Sequence, residues 1–292
     1  MLEMLGSPPG LAVRTGKYSM MENNGLCYHR FRPAYPINIY ISHFTVVKGT
    51  PQFPTVRVFP NNLLDLFFNL GDENLGVQQS ADDFHFNQTI ISGVRSNYLQ
   101  IFPGKFFFIA GLRFTLFGFH HLFKMPGKEI CDGNFSAGDV LGKEIISLWN
   151  QLGDSDDICT LINVMHDWVF EKIKKSEVMP RSWQRIEALL RNSKCNIRKE
   201  LPGLMGYSYK HSLKLFREIC GLDPKTVQRV YRINSLLTDP EILKSPNWSG
   251  LSFQFGYSDQ SHLIKEFKLY TGFTPTEFLA NHPKDFLVKQ LG

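Results

Sequence analysis

Gly256-Tyr257-Ser258-Asp259-Gln260-Ser261-His262-Leu263-Ile264-Lys265-Glu266-Phe267, with Gly272-Phe273-Thr274-Pro275 after it, decides the fold of the C-terminal third, because its pattern occurs twice. The earlier copy is Gly206-Tyr207-Ser208, then Phe216, Gly221 and Pro224. The Gly-Tyr-Ser parts lie 50 residues apart and the rest 51, so one residue has been added inside the second turn or helix start. Each part has a physical reading. The first Gly allows a tight turn. Ser208 or Ser258 caps the helix that follows. Phe216 or Phe267 lies on its buried face. Gly221 or Gly272 ends it, and Pro224 or Pro275 opens the next helix. Thr274-Pro275-Thr276-Glu277 has the spacing of a capping box. This is helix-turn-helix grammar, used twice.

Helical periodicity divides each second helix into two faces. Leu263, Phe267 and Tyr270 fall on one side, and Ser261, Lys265 and Lys268 on the other. In the earlier copy Phe216 and Ile219 point inward, while Lys210, Lys214 and Arg217 point outward. A basic outer face suits a helix that enters a DNA major groove, where Lys bonds guanine edges or phosphate and Gln pairs with adenine. The plainer alternative is two stacked helical hairpins with solvated lysines.

Charge is distributed unevenly. Residues 181–292 carry 17 Lys/Arg and 10 Asp/Glu, a net of +7, against 15 and 17, a net of −2, for residues 1–180. Phosphate backbones draw such an asymmetry, although a solvated basic surface shares it. The 292 residues exceed one ordinary core, so two domains are expected. Cys27, Cys131, Cys159, Cys195 and Cys220 are scattered without C-x-x-C spacing, which argues against a zinc ribbon or disulfide framework and fits a reducing cytosol. No signal peptide is recognisable. The most apolar run, Phe106 to Phe119, is broken by Arg113 and is too short to span a bilayer. Residues 1–26 read as a loose leader, with Met20 or Met21 as an alternative start.

The N-terminal half reads as β-rich. Ile37, Ile39 and Ile41 alternate as on one face of a strand. Leu63 to Leu70 is a short apolar run between turn-like segments. Tyr98 to Phe102 and Lys105 to Phe114 flank Pro103-Gly104 as in a hairpin. Sixteen of the 25 phenylalanines precede residue 124, which suggests a small barrel or sandwich with a large interior. Ile158, Leu161, Ile162, Met165, Trp168, Val169 and Ile173 then recur at helical steps, as a core stripe or a dimer interface. A metal cupin needs two nearby histidines and a carboxylate on adjacent strands. His85 stands alone, and His120-His121 would point apart on a strand, so packed or surface histidines are the better reading.

The quoted stretch resembles the signature of the AraC/XylS family of transcription regulators, over about residues 183–282. The resemblance implies a seven-helix domain whose two helix-turn-helix units are joined by a long central helix, here Pro224 to Leu237. It implies Gln260, Ser261, His262 and Lys265 as the groove-facing set of the second unit, and Tyr209, Lys210 and Lys214, with the basic Arg217, for the first. Pro202 and Gly203 depart from the family pattern and imply a short, kinked or late-starting support helix. Ser212 stands where the second unit has Leu263, which implies a looser first recognition helix. Ser245-Pro246 reads as a cap and first-turn proline for the second unit. More weakly, Val58-Phe59-Pro60, Leu64 to Asp72 and Gly111-Leu112-Arg113-Phe114 are similar to sensor domains of such regulators, which bind small effectors, dimerise, or both.

The expected fold class is α+β: a β-rich, barrel-like N-terminal domain with flanking helices, then an all-α domain with two helix-turn-helix units. The expected limits are a leader at 1–26, a sensor and dimerisation domain at 27–175, a linker at 176–182, and a DNA-binding domain at 183–292. The expected function is sequence-specific DNA binding by a cytoplasmic transcription regulator with no cofactor, metal or enzymatic activity. Expected partners are double-stranded DNA, a small-molecule effector, a second copy of the chain, and RNA polymerase if the regulator activates, but no membrane. The alternatives are a cupin-like enzyme and an interaction module with a vestigial helix-turn-helix domain.

Overall fold

The computed structural model describes residues 16–23, 25–52, 54–71, 75–79, 82–86, 88–192, 195–243 and 246–281. Eleven described strands form two antiparallel sheets. They are β1 (Gly16–Asn23), β2 (Leu26–Pro33), β3 (Ile41–Gly49), β4 (Val56–Val58), β5 (Leu64–Asn69), β6 (Leu75–Gln79), β7 (Asp82–Phe86), β8 (Thr89–Ser92), β9 (Leu99–Phe102), β10 (Phe107–Phe114) and β11 (Asn134–Ser136). The larger sheet runs β1-β2-β3-β10-β5-β8-β11 and the smaller β4-β9-β6-β7, and neither closes on itself. The β-rich domain is therefore a pair of open sheets, the sandwich rather than the closed barrel.

Strand β10 shows why the run from Phe106 is apolar but for Arg113. It lies between β3 and β5, and all eight of its residues are buried. Phe108, Ala110, Leu112 and Phe114 face the main core with the helices. Phe107 and Ile109 face the second sheet, in a smaller core with Leu26, Val47, Val56 and Leu99. A strand covered on both sides loses the alternation of a half-exposed one.

Three local expectations are corrected. Ile37–Ile39 is a 3₁₀ turn, so only Ile41 of that alternating trio lies in a strand. Strands β9 and β10 are not hairpin partners: β9 pairs with β4 and β6 in the smaller sheet, and Pro103-Gly104 carries the chain across to the larger one. Residues 16–23, assigned to the leader, pair along their full length with β2. Residues 1–15 lie outside the described residues.

The helices are α1 (Gly118–Phe123), α2 (Ala137–Leu141), α3 (Lys143–Gly153), α4 (Ile158–Lys175), α5 (Arg181–Arg191), α6 (Ile197–Met205), α7 (Tyr209–Cys220), α8 (Pro224–Leu237), α9 (Trp248–Gln254), α10 (Gln260–Thr271) and α11 (Pro275–Asn281). The stripe of α4 is core: Leu161, Ile162, Met165 and Val169 are fully buried in the cluster that holds Phe44 and Leu112. His120 and His121 sit on α1 rather than a strand. Each ring is tied to a backbone carbonyl, of Met125 and Glu177 respectively, at 2.7 Å. His85 lies on β7, and its side chain is outside the described set. Among the described residues no three His, Cys, Asp or Glu side chains gather as a metal site.

The helical part is docked on the sheets. Phe117 meets Trp183 and Phe216 with ring centroids 5.2 and 5.9 Å apart. Lys128 pairs with Glu218 at 2.6 Å. Asn62 donates to the carbonyl of Val227 at 2.8 Å, and Asn234 donates to that of Pro60 at 2.9 Å. The Arg57 guanidinium lies 4.0 Å from the centre of the Phe273 ring.

Candidate nucleic-acid interface

Each repeat forms a support helix, a left-handed glycine, a recognition helix and a second left-handed glycine. Gly206 and Gly256 have φ of 76° and 75°, and Gly221 and Gly272 have 84° and 75°, the region where a Cβ is penalised. At Gly272 a Cβ would also stand 2.7 Å from the Tyr98 ring, so the end of α10 approaches the N-terminal domain closely.

The first recognition helix, α7, starts after Ser208, whose hydroxyl accepts from the His211 amide at 3.4 Å. In the second unit the cap is Asp259 instead of Ser258. Its carboxylate accepts from the His262 amide at 2.8 Å, while the Ser258 hydroxyl donates to Asp259 at 3.0 Å. The added residue of the second copy is thus located: it occupies the cap, before the helix begins. Those bonds hold the Asp259 carboxyl below its ordinary value. Likewise, α9 starts after Asn247, whose side chain accepts from Gly250 at 3.1 Å, so the Ser245-Pro246 cap is corrected; Ser245 lies outside the described residues. At α11 the capping box forms in both directions, Thr274 amide to Glu277 at 2.7 Å and Glu277 amide to Thr274 at 3.3 Å.

The support helix of the first unit runs through Pro202 and begins at Ile197 rather than late. With nine residues it is longer than α9, which has seven, so Pro202 does not make it the shorter of the two. Ser212 is buried as expected, and its hydroxyl donates to the Tyr207 carbonyl at 3.3 Å. Helix α7 also touches the N-terminal domain, Phe216 against Phe117 and Glu218 against Lys128.

Outward faces follow the periodicity. Lys210, Lys214 and Arg217 are exposed on α7, as are Gln260, Ser261, Lys265 and Lys268 on α10. Phe216, Ile219, Leu263, Phe267 and Tyr270 are buried beneath them. Tyr209 is half-buried, with the Arg198 guanidinium 5.2 Å from its ring centre. His262 is also half-buried and is engaged at both nitrogens, Nδ1 with Ser258 at 3.1 Å and Nε2 with Glu266 at 3.2 Å. Central helix α8 spans the expected Pro224 to Leu237. Asp223 caps it, and Val227, Val230, Tyr231 and Leu237 face inward.

One functional cluster escaped the sequence reading. Glu266 is buried on α10 and pairs with Arg229 at 2.5 Å and Arg232 at 2.8 Å, both on α8. It locks the second recognition helix to the central helix. The spacing of Arg229 and Arg232, one helical turn apart, was the available signal.

Comparison with known proteins places these elements. Residues 247–280 match the family of bacterial regulatory helix-turn-helix proteins of the AraC family. Residues 29–136 match a domain of unknown function, DUF6597. No curated protein matches the chain. Among solved structures, an apo variant of ToxT from Vibrio cholerae strain SCE256 is similar at 13% identity, over 81% of this chain and 97% of that one, with a TM-score of 0.44. Wild-type ToxT of that strain with an unsaturated fatty acid bound is similar at 11% identity, over 81% and 94%, with a TM-score of 0.40. The AraC-like transcriptional activator CuxR is similar at 10% identity, over 82% and 86%, with a TM-score of 0.20. Residues 247–280 match an AraC-family bacterial regulatory helix-turn-helix, and with that segment the chain is a DNA-binding transcription regulator.

Proposed function

We propose that this regulator reads DNA through the outer faces of α7 and α10, set in successive major grooves. The observation that supports it is the pairing of two exposed polar and basic faces with two fully buried ones, on helices joined by a single central helix. Gln260, Ser261 and Lys265 are the base-reading set of the second unit. Lys210, Lys214 and Arg217 grip phosphate in the first, with Tyr209 beside them. His262 contributes mainly by holding the start of α10. The sensor domain runs from Gly16 of β1 to Lys175 of α4, residues 176–180 are the linker, and the DNA-binding domain begins with α5 at Arg181. The chain acts by binding and performs no reaction of its own, in the cytoplasm, under the control of a small effector. RNA polymerase is its partner where it activates. No described helix is long and apolar enough to cross a membrane. The stripe of α4 is covered by its own sheet, so a homodimer has to use another face; sedimentation of the intact chain reports it.

The test is binding of the intact chain to a duplex selected by that chain from a random pool. Affinity should fall steeply with salt as counterions are released. Lys265→Ala or Gln260→Ala should each cost roughly 1–3 kcal/mol and relax the preference at one base. Lys214→Ala should weaken all sequences alike and lower the salt slope by about one. Salt-insensitive binding, or none, would sink the reading.

A further inference from the structure

A cavity lies between the two sheets. Its volume is about 70 Å³, several times what one buried water requires. Most of the wall is apolar, with Val47, Phe67, Ile90, Leu99, Phe107 and Ile109 among its residues. One end is polar, where Asp65, Ser92, Arg95, Arg113 and Asn134 meet.

We infer that this cavity takes a small, uncharged, mainly apolar molecule with one hydrogen-bond donor, and that the segment from Arg57 to Leu63 carries its presence to the DNA-binding half. The inference rests on the reading of the chain as an effector-controlled regulator.

The charge at the polar end sets the ligand class. Both guanidiniums are already committed. Arg113 stands opposite Asp65 across β10 and β5 and meets its carboxylate at 2.8 Å. Arg95 donates to the Ser92 hydroxyl at 2.8 Å, to the Gly133 carbonyl at 3.2 Å and to the Asn134 side chain. An entering carboxylate would shed its water beside Asp65 with no cation reserved for it, a costly exchange. A hydroxyl or ring N–H is received more cheaply, because an ionised carboxylate has more acceptor sites than one guanidinium contact uses.

The route outward is short. Val58, Phe59, Pro60, Asn61 and Leu63 line the cavity. The Phe59 ring packs on Phe278 of α11, 6.4 Å between centroids, in the same core as Leu263 and Phe267. The Pro60 carbonyl takes the Asn234 amide, and Asn62 holds the Val227 carbonyl, so the central helix is gripped at two points. Asn62 is fully buried with φ of 58°. One seven-residue segment thus touches the cavity, the central helix and the second unit. An occupant that fixes Phe59 and Pro60 stiffens this contact and steadies α8 and α10 against the sheets.

The experiment uses the intact chain with 4-ethylphenol and 4-ethylbenzoate, which differ little in size and differ in charge. The phenol should raise the thermal midpoint and the benzoate should not. Ile101→Trp, at a half-buried lining residue, should fill the cavity and remove the response. With the phenol bound, amide exchange across Pro224–Leu237 should slow by roughly threefold or more, and affinity for the selected duplex should change by roughly fivefold or more. Asn234→Ala should keep the thermal response and lose most of the change in exchange. Equal responses to both compounds overturn the ligand class. A response that survives Ile101→Trp, or none to either compound from a folded parent, overturns the site. Binding with unchanged exchange in α8 overturns the route. Failure to bind any duplex, by contrast, sinks the DNA-binding reading while leaving the cavity result to stand.

Discussion

Glu266→Gln is the sharpest test of how the second helix-turn-helix unit is held. The side chain is 4% exposed and faces Arg232 (13% exposed), Arg229 (33%) and His262 (40%). Glutamine keeps the shape and removes the charge, leaving two guanidiniums against a neutral amide. Breaking a fully buried pair costs about 3–5 kcal/mol, and an exposed pair is worth about 0–1 kcal/mol. The Arg232 contact belongs near the first limit. The Arg229 contact is discounted for its solvent screening, and the His262 contact more so. We therefore expect a loss of about 2–3 kcal/mol. The assay is urea unfolding followed by tryptophan fluorescence, since Trp248 packs edge-on against Phe267 within the same unit. The loss should persist in molar salt, because buried pairs are screened little. Arg232→Ala should cost much less in the Glu266→Gln background than alone. A loss under about 0.5 kcal/mol, or one that vanishes with salt, would refute the locking role.

Three further outcomes are expected. Gly272→Ala should destabilise the chain by more than about 1 kcal/mol in the same unfolding assay, since it combines left-handed strain with a Cβ 2.7 Å from Tyr98; wild-type stability would mean α10 does not dock there. Asp259 should titrate below its ordinary 3.8 in a carboxyl NMR titration. Its folded value is depressed, so its capping contribution is present above 3.8 and lost as pH falls through the folded value; Asp259→Asn should retain the cap and abolish that acid step. Arg113→Met should cost about 3–5 kcal/mol. Burial already pushes Asp65 up to about 6 against the pull of Arg113, so the variant should push it further. An acid whose folded value is raised loses stability as pH rises through that value, so the deficit should be larger near pH 8 than near pH 5; a pH-independent deficit would show the two groups are not coupled.

The repeat in the C-terminal third was legible because glycine, cap and proline positions follow from local backbone geometry, and Gly221, Pro224 and Gly272 perform the tasks their spacing implied. The buried stripes of α4 and α8 were legible for the same reason, since helical burial has a local period. Pairing of strands was not. Pro103-Gly104 is a turn signal, but a turn does not say whether the next strand joins the same sheet, and here it crosses to the other. Ile37, Asn38 and Ile39 alternate over only three residues, too few to separate a 3₁₀ turn from a strand. Glu266 escaped because an acidic residue on an otherwise basic helix reads as solvated until α8 is seen to bring Arg229 and Arg232 to it. The docking through Asn62 and Asn234 joins residues more than 160 positions apart, beyond any local pattern.

The position of Asp259 has a consequence for exchanging the two units. A residue inserted within a helix turns everything after it by about 100° and displaces it by about 1.5 Å, which would swing Lys265 away from the side that Lys214 occupies. Taken up at the cap, the insertion leaves the helix in phase. Tyr209 to Arg217 then correspond to Gln260 to Lys268 at a constant shift of 51, and the partner of Leu215 is Glu266. A cassette cut at the first residue of each helix can be transplanted in register. One cut at the Gly-Tyr-Ser triplet stays in register only when it brings its own cap, Ser208 in the first unit or Asp259 in the second.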